Sequence, residues 1–146
     1  MHTESAHAKS PSAESIAFMA KFEAAEAELS QGRPAAFKAL WSQSSDVSIY
    51  GAFGGMASGW DNVATRLDWA GRQFSDGTRS REETACTVGD KLAYIAQTER
   101  IRYRIPGHPE ETTLELRATL VFRRESDGWR IVHRHADPLV RTQPPQ

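Results

Sequence analysis

A chain of 146 residues can hold one hydrophobic core but not two, which predicts a single domain. The composition is that of an ordinary globular protein, and a formal net charge of −1 gives no electrostatic reason to expect a nucleic acid or an anionic membrane as a partner. The single cysteine, Cys86, excludes an intrachain disulfide, and the lack of a secretory signal or of ~20 consecutive apolar residues predicts a cytoplasmic protein.

The first predicted elements are two helices that follow a polar N-terminal tail. Residues 1–11 are small, polar and rich in His, Ser and Ala, which predicts disorder. Ser12 is placed to cap a helix whose apolar residues share one face and which ends near Gly32. Pro34 suits the first turn of a second, shorter helix that runs to Trp41.

A strand and a third helix are predicted in the middle of the chain. Residues 46–53 alternate as a strand does, and a pair of glycines ends the alternation. A helix is predicted after Gly59, with Asp61 or Asn62 as its cap and Gly77 at its end. The glycine-rich stretch between them, G-A-F-G-G-M-A-S-G-W, is predicted to form a flexible lid over an apolar pocket.

From about residue 80 onward, the pattern is that of strands alone. Strands are predicted over residues 83–88 and 92–105, followed by a hairpin whose turn is Ser126-Asp127-Gly128. Helices first and antiparallel strands afterwards predict an α+β fold, in which a curved sheet wraps against the helices. This domain is predicted to span residues 12–139, and the polar, Pro-rich residues 140–146 are predicted to be loose.

The two arms of the C-terminal hairpin carry polar side chains that strict alternation places on one face. On the second arm this face is predicted to hold Trp129, Ile131, His133 and His135. The other face of that arm is predicted to hold Arg130, Val132, Arg134 and Ala136. The first arm carries Arg117 and Thr119. Two imidazoles opposite such an arm predict a cavity with a polar lining.

Three stretches of the sequence resemble one known family: G-W-D near Trp60, E-R at Glu99-Arg100, and W-R-I-V-H-R-H-A-D near the end of the chain. With the order of elements, they resemble the SnoaL-like branch of the nuclear transport factor 2-like superfamily over about residues 15–139. The last stretch also resembles the association domain of calmodulin-dependent protein kinase II, which shares the fold. The resemblance implies a cone, in which a bent antiparallel sheet and helices enclose a deep pocket, and homodimerisation through the outer face of the sheet.

The resemblance implies a pocket and no particular reaction. Known enzymes of this fold include ketosteroid isomerase, scytalone dehydratase, limonene epoxide hydrolase and polyketide cyclases, and they use different catalytic residues in the same cone. Ketosteroid isomerase uses a tyrosine and two acids, and no residue-by-residue match for that set is found in this sequence.

His133 and His135 are the first catalytic candidates. Side chains at i and i+2 of a strand lie about 7 Å apart on one face, which lets both imidazoles serve one ligand. A neutral imidazole near pH 7 is a general base or a hydrogen-bond partner. The alternative is structural, with one histidine bonded within the sheet and the other at the pocket edge. A metal site would need a third ligand that the sequence does not supply, so no metal is predicted.

Glu99 is the second catalytic candidate, because it shares a face with the apolar residues of its strand. In an apolar pocket its carboxyl would have a raised pKa and act as a proton shuttle. Beside Arg117 it would instead form a structural ion pair with a lowered pKa, and this second interpretation is favoured. Arg117 alone could bind a carboxylate or an enolate oxygen, with Thr119 next to it on the same face.

Four further side chains complete the predicted site. The Tyr50 hydroxyl could supply the hydrogen bond that enolising chemistry needs, although a core or rim tyrosine is the simpler interpretation. Phe53, Met56 and Trp60 in the predicted lid are candidate ligand contacts, and core packing is the alternative for Trp60.

Two hypotheses for function follow. The first is a small-molecule enzyme that needs no cofactor, in which His133, His135, Glu99 or Tyr50 moves a proton in an isomerisation, cyclisation, dehydration or hydrolysis. Its substrate would be largely apolar or cyclic. The second is a non-catalytic module that uses the same cone to bind a small ligand or to associate with itself. An enzyme requires a water-accessible cavity with an acid or base of perturbed pKa beside the ligand.

Overall fold

A computed structural model describes residues 12–145, and the predicted tail at residues 1–11 lies outside this range. The elements are α1 (Ala13–Ser30), α2 (Ala35–Lys38), β1 (Ser48–Tyr50), β2 (Met56–Ser58), α3 (Trp60–Gly71), β3 (Ser75–Val88), β4 (Leu92–Arg104), β5 (Glu111–Glu125) and β6 (Gly128–Pro138). Residues 139–145 carry no regular secondary structure. The α+β fold is confirmed.

One curved, unclosed sheet of six strands forms the body of the fold, in the order β2-β1-β6-β5-β4-β3. The four long strands pair antiparallel along the chain, while the short β1 lies parallel to β6. The inner face of the sheet packs against the helices. On β5 it presents Leu116, Ala118, Leu120 and Phe122, each at most 4% exposed.

Helix α1 begins and ends as the sequence predicts. The Ser12 hydroxyl accepts a hydrogen bond from the Ser15 backbone, and the Ser15 hydroxyl accepts one from the Ser12 backbone, so two helix-end donors are satisfied. The helix closes at Gly32, whose φ of +86° suits a residue without a Cβ. Phe22 in its middle is fully buried and meets the Phe122 ring of β5 edge to face.

Helix α3 differs from its prediction at both ends. Its cap is Gly59, which makes no side-chain hydrogen bond, so the predicted capping by Asp61 or Asn62 is wrong. The helix ends at Gly71, and Gly77 lies inside β3 instead. A Cβ on Gly77 would lie 2.2 Å from the Ser30 carbonyl oxygen, so this glycine is what lets β3 touch the end of α1.

Two strands are missing or short in the prediction. The polar stretch from Ser75 onward is the start of β3, eight residues before the predicted strand. Its side chains alternate in burial without alternating in polarity, which hides the strand from a hydrophobicity pattern. Met56–Ser58 form β2, which pairs with β1, so part of the predicted lid is a strand.

A β-bulge in β6 reverses the predicted faces of its second half. Val121 pairs with His133 and Phe122 pairs with Ile131, so Val132 is an extra residue opposite that step. Before the bulge, Trp129 and Ile131 are buried as predicted; after it, Arg134 and Ala136 point inward. The prediction that both histidines share the face of Trp129 and Ile131 is therefore wrong.

Among residues 12–145, no helix has the length and apolar content that crossing a membrane requires.

Candidate functional site

A cluster of charged side chains lies inside the fold, between α1 and the inner face of the sheet. Its centre is Glu99 of β4, which is 2% exposed. Arg134 of β6 donates two parallel hydrogen bonds to it, with Nη1–Oε2 and Nη2–Oε1 distances of 2.8 and 2.7 Å. Arg79 of β3 donates to Glu99 Oε1 at 2.9 Å, and Gln97 Nε2 donates to Glu99 Oε2 at 2.7 Å. We call Glu26, Arg79, Gln97, Glu99 and Arg134 the inner charge cluster.

The predicted ion pair between Glu99 and Arg117 is wrong, because the two side chains lie on opposite faces of the sheet. Glu99 is opposite Leu116 on β5, so it shares the inner face with Leu116 while Arg117 points outward. Arg117 pairs instead with Asp137 of β6, through Nε–Oδ1 and Nη2–Oδ2 distances of 3.0 Å. The bulge supplies the correct partner, since it turns Arg134 toward Glu99.

Glu99 is held in its ionised form. Burial alone would raise the pKa of its carboxyl, but the charges of Arg134 and Arg79 and the hydrogen bonds from Arg134 and Gln97 lower the pKa to about 2. A carboxylate that is ionised throughout the neutral range and bonded to three side chains is not a proton shuttle. Its chemical role is to hold two guanidinium groups in place inside the protein.

Glu26 of α1 behaves in the opposite way. Its Oε2 is buried without a hydrogen bond from any described residue, and the nearest cation is Arg79, whose Nη1 lies 3.9 Å away. Burial raises the pKa of this carboxyl to about 7, and the charge of Arg79 offsets only part of that rise. Glu26 therefore gains or loses a proton near neutral pH, whereas Glu99 in the same cluster stays ionised.

A cavity of about 50 Å³ adjoins the inner charge cluster. Arg79 and Arg134 form part of its wall, together with Arg66 of α3. The rest of the wall is mainly apolar and includes Phe37, Ile49, Leu67, Phe74, Ile101 and Leu116. At about 30 Å³ of liquid per water molecule, this volume is that of one or two waters. A larger guest therefore requires part of the wall to move.

The segment Gly51–Gly55 forms part of the cavity wall through Gly51, Ala52 and Phe53, and we call it the mouth loop. Phe53 is 41% exposed, and its ring contacts the rings of Trp69 and Phe74 at centroid distances of 5.7 and 5.8 Å. Arg66 holds the loop down by donating to the Gly54 carbonyl and stacking 4.4 Å from the centre of the Trp69 ring. Gly54 and Gly55 have φ values of +92° and +71°, a region that favours glycine.

Five of the predicted site residues meet on the outer face of the sheet. The Tyr50 ring lies 5.1 Å from both the His133 and the His135 rings. His135 is opposite Thr119, with Arg117 two residues before it on β5. A shallow groove of about 370 Å³ runs beside them. These residues lie together, but on the face of the sheet that points away from the helices and the inner cavity.

His133 is tied to its neighbours on this outer face. Its Nδ1 lies 2.8 Å from the Ser48 hydroxyl of β1. Burial of the ring lowers its pKa, and the nearby His135 lowers it further, so the imidazole is neutral at pH 7. Within residues 12–145, no three His, Cys, Asp or Glu side chains are grouped so that they could hold a metal ion.

The remaining predicted residues divide between core and surface. Trp60 begins α3 and packs half-buried against the core. Met56 on β2 is 73% exposed and borders a separate surface groove next to Arg66 and Trp69. Of the predicted ligand contacts, Phe53 alone lines the inner cavity.

Sequence reasoning missed the two arginines and the second glutamate of the inner charge cluster. Arg79 lies in the polar start of β3, Arg134 is on the inner face only because of the bulge, and Glu26 sits on the buried side of α1. One signal was available for Glu26: it is one residue after Ala25 and three before Leu29, both on the apolar face of the helix.

Comparison with known proteins places the whole fold in one family. The profile of the SnoaL-like domain matches residues 17–140. A proposed dehydratase of the NTF2-like family from Streptomyces avermitilis is 19% identical, with a TM-score of 0.73 over 88% of this chain and 95% of that chain. A proposed calcium/calmodulin-dependent protein kinase type II association domain from Thiobacillus denitrificans is 22% identical, with a TM-score of 0.68 over 86% and 94% of the two chains.

A ketosteroid isomerase-like protein from Erwinia carotovora atroseptica is also similar, at 14% identity and a TM-score of 0.65 over 88% of this chain and 93% of that chain. No curated protein matches the sequence. Identities this low establish a shared fold and leave the reaction open. Since the SnoaL-like profile spans most of the chain, the chain belongs to the SnoaL-like family, and the similar structures share its fold.

Proposed function

We propose that the inner cavity binds a small, largely apolar molecule, which enters when the mouth loop moves aside. The observation that carries this proposal is the combination of an apolar wall, two buried guanidinium groups and a glycine-rich loop at the mouth. A core that served stability alone would gain little from two buried arginines, because desolvating charges costs about as much as their pairing returns.

Binding without acid–base chemistry fits this cavity better than catalysis does. Glu99 is locked between two arginines, and Glu26 is outside the cavity wall. The predicted bases His133 and His135, with Tyr50, lie on the outer face. The enzyme hypothesis therefore needs a substrate in the outer groove, where the neutral imidazole of His133 would be the base.

The test is an NMR titration with benzamide, a neutral probe with an apolar ring and one polar end. We expect saturable shifts of the backbone amides of Phe53, Leu67 and Ile101, which surround the cavity. Ala70→Leu fills the cavity wall and should weaken binding about tenfold or more, equivalent to about 1.4 kcal/mol. Ala24→Leu on the exposed side of α1 is the matched control and should bind as the wild type does.

Shifts that do not saturate, or that are the same in Ala70→Leu, would overturn the proposal. Saturable shifts confined to Tyr50, His133 and Thr119 would instead favour the outer groove as the binding site.

A further inference from the structure

Resting on the proposed function, we propose that the ligand of the inner cavity carries one negative charge, which Arg134 and Arg79 receive, and that Glu26 takes up a proton when this ligand binds. The ligand class is therefore a small aromatic or alicyclic monocarboxylate. Its apolar body would lie against Phe53, Leu67 and Phe74.

The two arginines have unused hydrogen-bond donors. A guanidinium group has five N–H bonds, and Arg134 uses two of them on Glu99 while Arg79 uses one on Glu99 and one on the Ser30 hydroxyl. Among the described residues, neither Arg134 Nε nor Arg79 Nη2 has a hydrogen-bond partner, and both arginines line the inner cavity. A planar carboxylate matches donors of this kind.

The net charge of the inner charge cluster depends on whether Glu26 is ionised. Two guanidinium groups face the single carboxylate of Glu99, which leaves one positive charge uncompensated. If Glu26 is ionised, the inner charge cluster is neutral; if Glu26 is protonated, the cluster carries +1. A monoanionic ligand neutralises the +1 cluster that contains protonated Glu26. When Glu26 is ionised, the ligand and the Glu26 carboxylate compete for the same positive charge.

Charged groups on three strands, β3, β4 and β6, act on the pKa of Glu26. Arg79 and Arg81 face it from β3, Glu99 from β4 and Arg134 from β6, while Glu23 of its own helix borders the same groove. Arg81 is matched by Glu23 at 2.7 Å and by Glu83 at 3.4 Å, so it adds little net charge. Burial raises the pKa of Glu26 to about 7, which places its proton exchange in the neutral range.

A second opening gives that proton a route. Arg79, which is part of the cavity wall, also borders a groove of about 300 Å³ between α1 and β3, where Glu26 lies. Proton exchange can therefore occur from the outside while the ligand occupies the cavity. By linkage, an anion that favours protonated Glu26 must bind more weakly as the pH rises above about 7.

The test is isothermal titration calorimetry with benzoate and benzamide, which have the same shape and differ by one charge. Benzoate stays ionised between about pH 6 and about pH 8, since a carboxylic acid titrates near pH 4. At the lower pH we expect benzoate to bind about tenfold more tightly than benzamide, and this preference should shrink toward the higher pH. Two buffers of different ionisation enthalpy should show a proton taken up with benzoate near pH 7.5 and none with benzamide.

Glu26→Gln should keep the preference for benzoate at both pH values and abolish the proton uptake. Glu28→Gln, an exposed glutamate on the same helix, should titrate like the wild type. The proton count on the unaltered protein keeps the test decisive even if Glu26→Gln does not fold.

The outcomes separate this inference from the proposed function. Equal or tighter binding of benzamide would overturn the anionic ligand and leave the binding cavity intact. A preference for benzoate without proton uptake would overturn the role of Glu26. Binding of neither probe would overturn both.

Discussion

Two buried glutamates in one cluster ionise at very different pH values, and their hydrogen bonds explain why. Glu99 accepts bonds from Arg134, Arg79 and Gln97, which offset the cost of burying its charge. Among the described residues Glu26 Oε2 has no such donor, and the charge of Arg79, whose Nη1 lies 3.9 Å away, offsets only part of the cost of burying its ionised form. The pair therefore combines a fixed negative charge with a titratable one.

Glu26→Gln is expected to remove a pH dependence from the stability. In the unfolded chain Glu26 loses its proton near pH 4.5, while in the folded protein it keeps the proton to about pH 7. The folded state thus binds more protons between these values, so this carboxyl lowers the free energy of unfolding as the pH rises through that window. The shift corresponds to about 3 kcal/mol at most.

Urea unfolding of both proteins at about pH 5 and about pH 8, at one protein concentration, measures this effect. The stability of the variant relative to the wild type should increase with pH. A difference that stays constant between the two pH values would show that Glu26 titrates normally in the folded protein.

Glu99→Gln is expected to destabilise the fold by about 3–5 kcal/mol at neutral pH, because it removes the carboxylate to which both buried guanidinium groups are hydrogen-bonded. Arg33→Gln breaks an exposed ion pair with Glu28 and is the control, with a change too small to move the unfolding midpoint appreciably. An unfolding midpoint for Glu99→Gln that equals that of Arg33→Gln would contradict the buried pairing of Glu99 with Arg79 and Arg134.

For single side chains, the face of the sheet on which a residue lies was easier to predict than its hydrogen-bond or ion-pair partner. The alternation of β4 placed Glu99 on the inner face correctly, because its neighbours Ile95, Gln97 and Ile101 are buried with it. The ion-pair partner predicted for Glu99 was wrong, because a bulge in a different strand, β6, decides whether Arg134 or His133 points inward. One extra residue in a regular alternation leaves no mark in the sequence of β6 itself.

Secondary structure was predictable where it depends on local chemistry. The Ser12 cap of α1 and the glycine near its end are local signals, and both are confirmed. The start of β3 and the short β2 depend on pairing with distant strands, which a polar sequence does not reveal. The glycines of residues 51–55 predicted a loop, but the hydrogen bond from Arg66 to the Gly54 carbonyl was not predicted.

Arg66→Gln is expected to loosen the mouth loop. The substitution removes the guanidinium group that bonds to the Gly54 carbonyl and stacks on Trp69, so the loop loses its only described side-chain hydrogen bond to α3. Amide hydrogen exchange across Gly51–Gly55 should become several-fold faster. Arg72→Gln at the end of the same helix is exposed and should leave the loop unchanged. Equal exchange in all three proteins would mean that Arg66 does not hold the loop.

The outer face of the sheet is proposed to be a homodimer interface. Tyr50 and Tyr94 are exposed, as is Leu139, which lines the outer groove, and soluble monomers seldom leave large apolar patches uncovered. In a twofold dimer each residue of the patch meets the same patch on the second copy. His133 and His135 would then lie in the dimer interface and contribute to dimerisation.

Thr119→Arg is expected to convert this dimer to a monomer, because it adds a second cation beside Arg117 at the centre of the patch. Thr65→Arg on the exposed side of α3 is the matched control and should remain a dimer. Sedimentation equilibrium gives the mass of each. A wild type that sediments as a monomer of about 16.2 kDa would contradict the proposed interface.

The central claim is that the inner cavity, and not the outer groove, is where this protein binds a small acid. The most direct measurement is a crystal structure with 4-bromobenzoate, whose bromine is located by its anomalous signal. The account predicts bromine near Phe53 and Phe74, with the carboxylate at Arg134 and the mouth loop displaced. Bromine beside His135 and Arg117 on the outer face, with the inner cavity still closed, would contradict it.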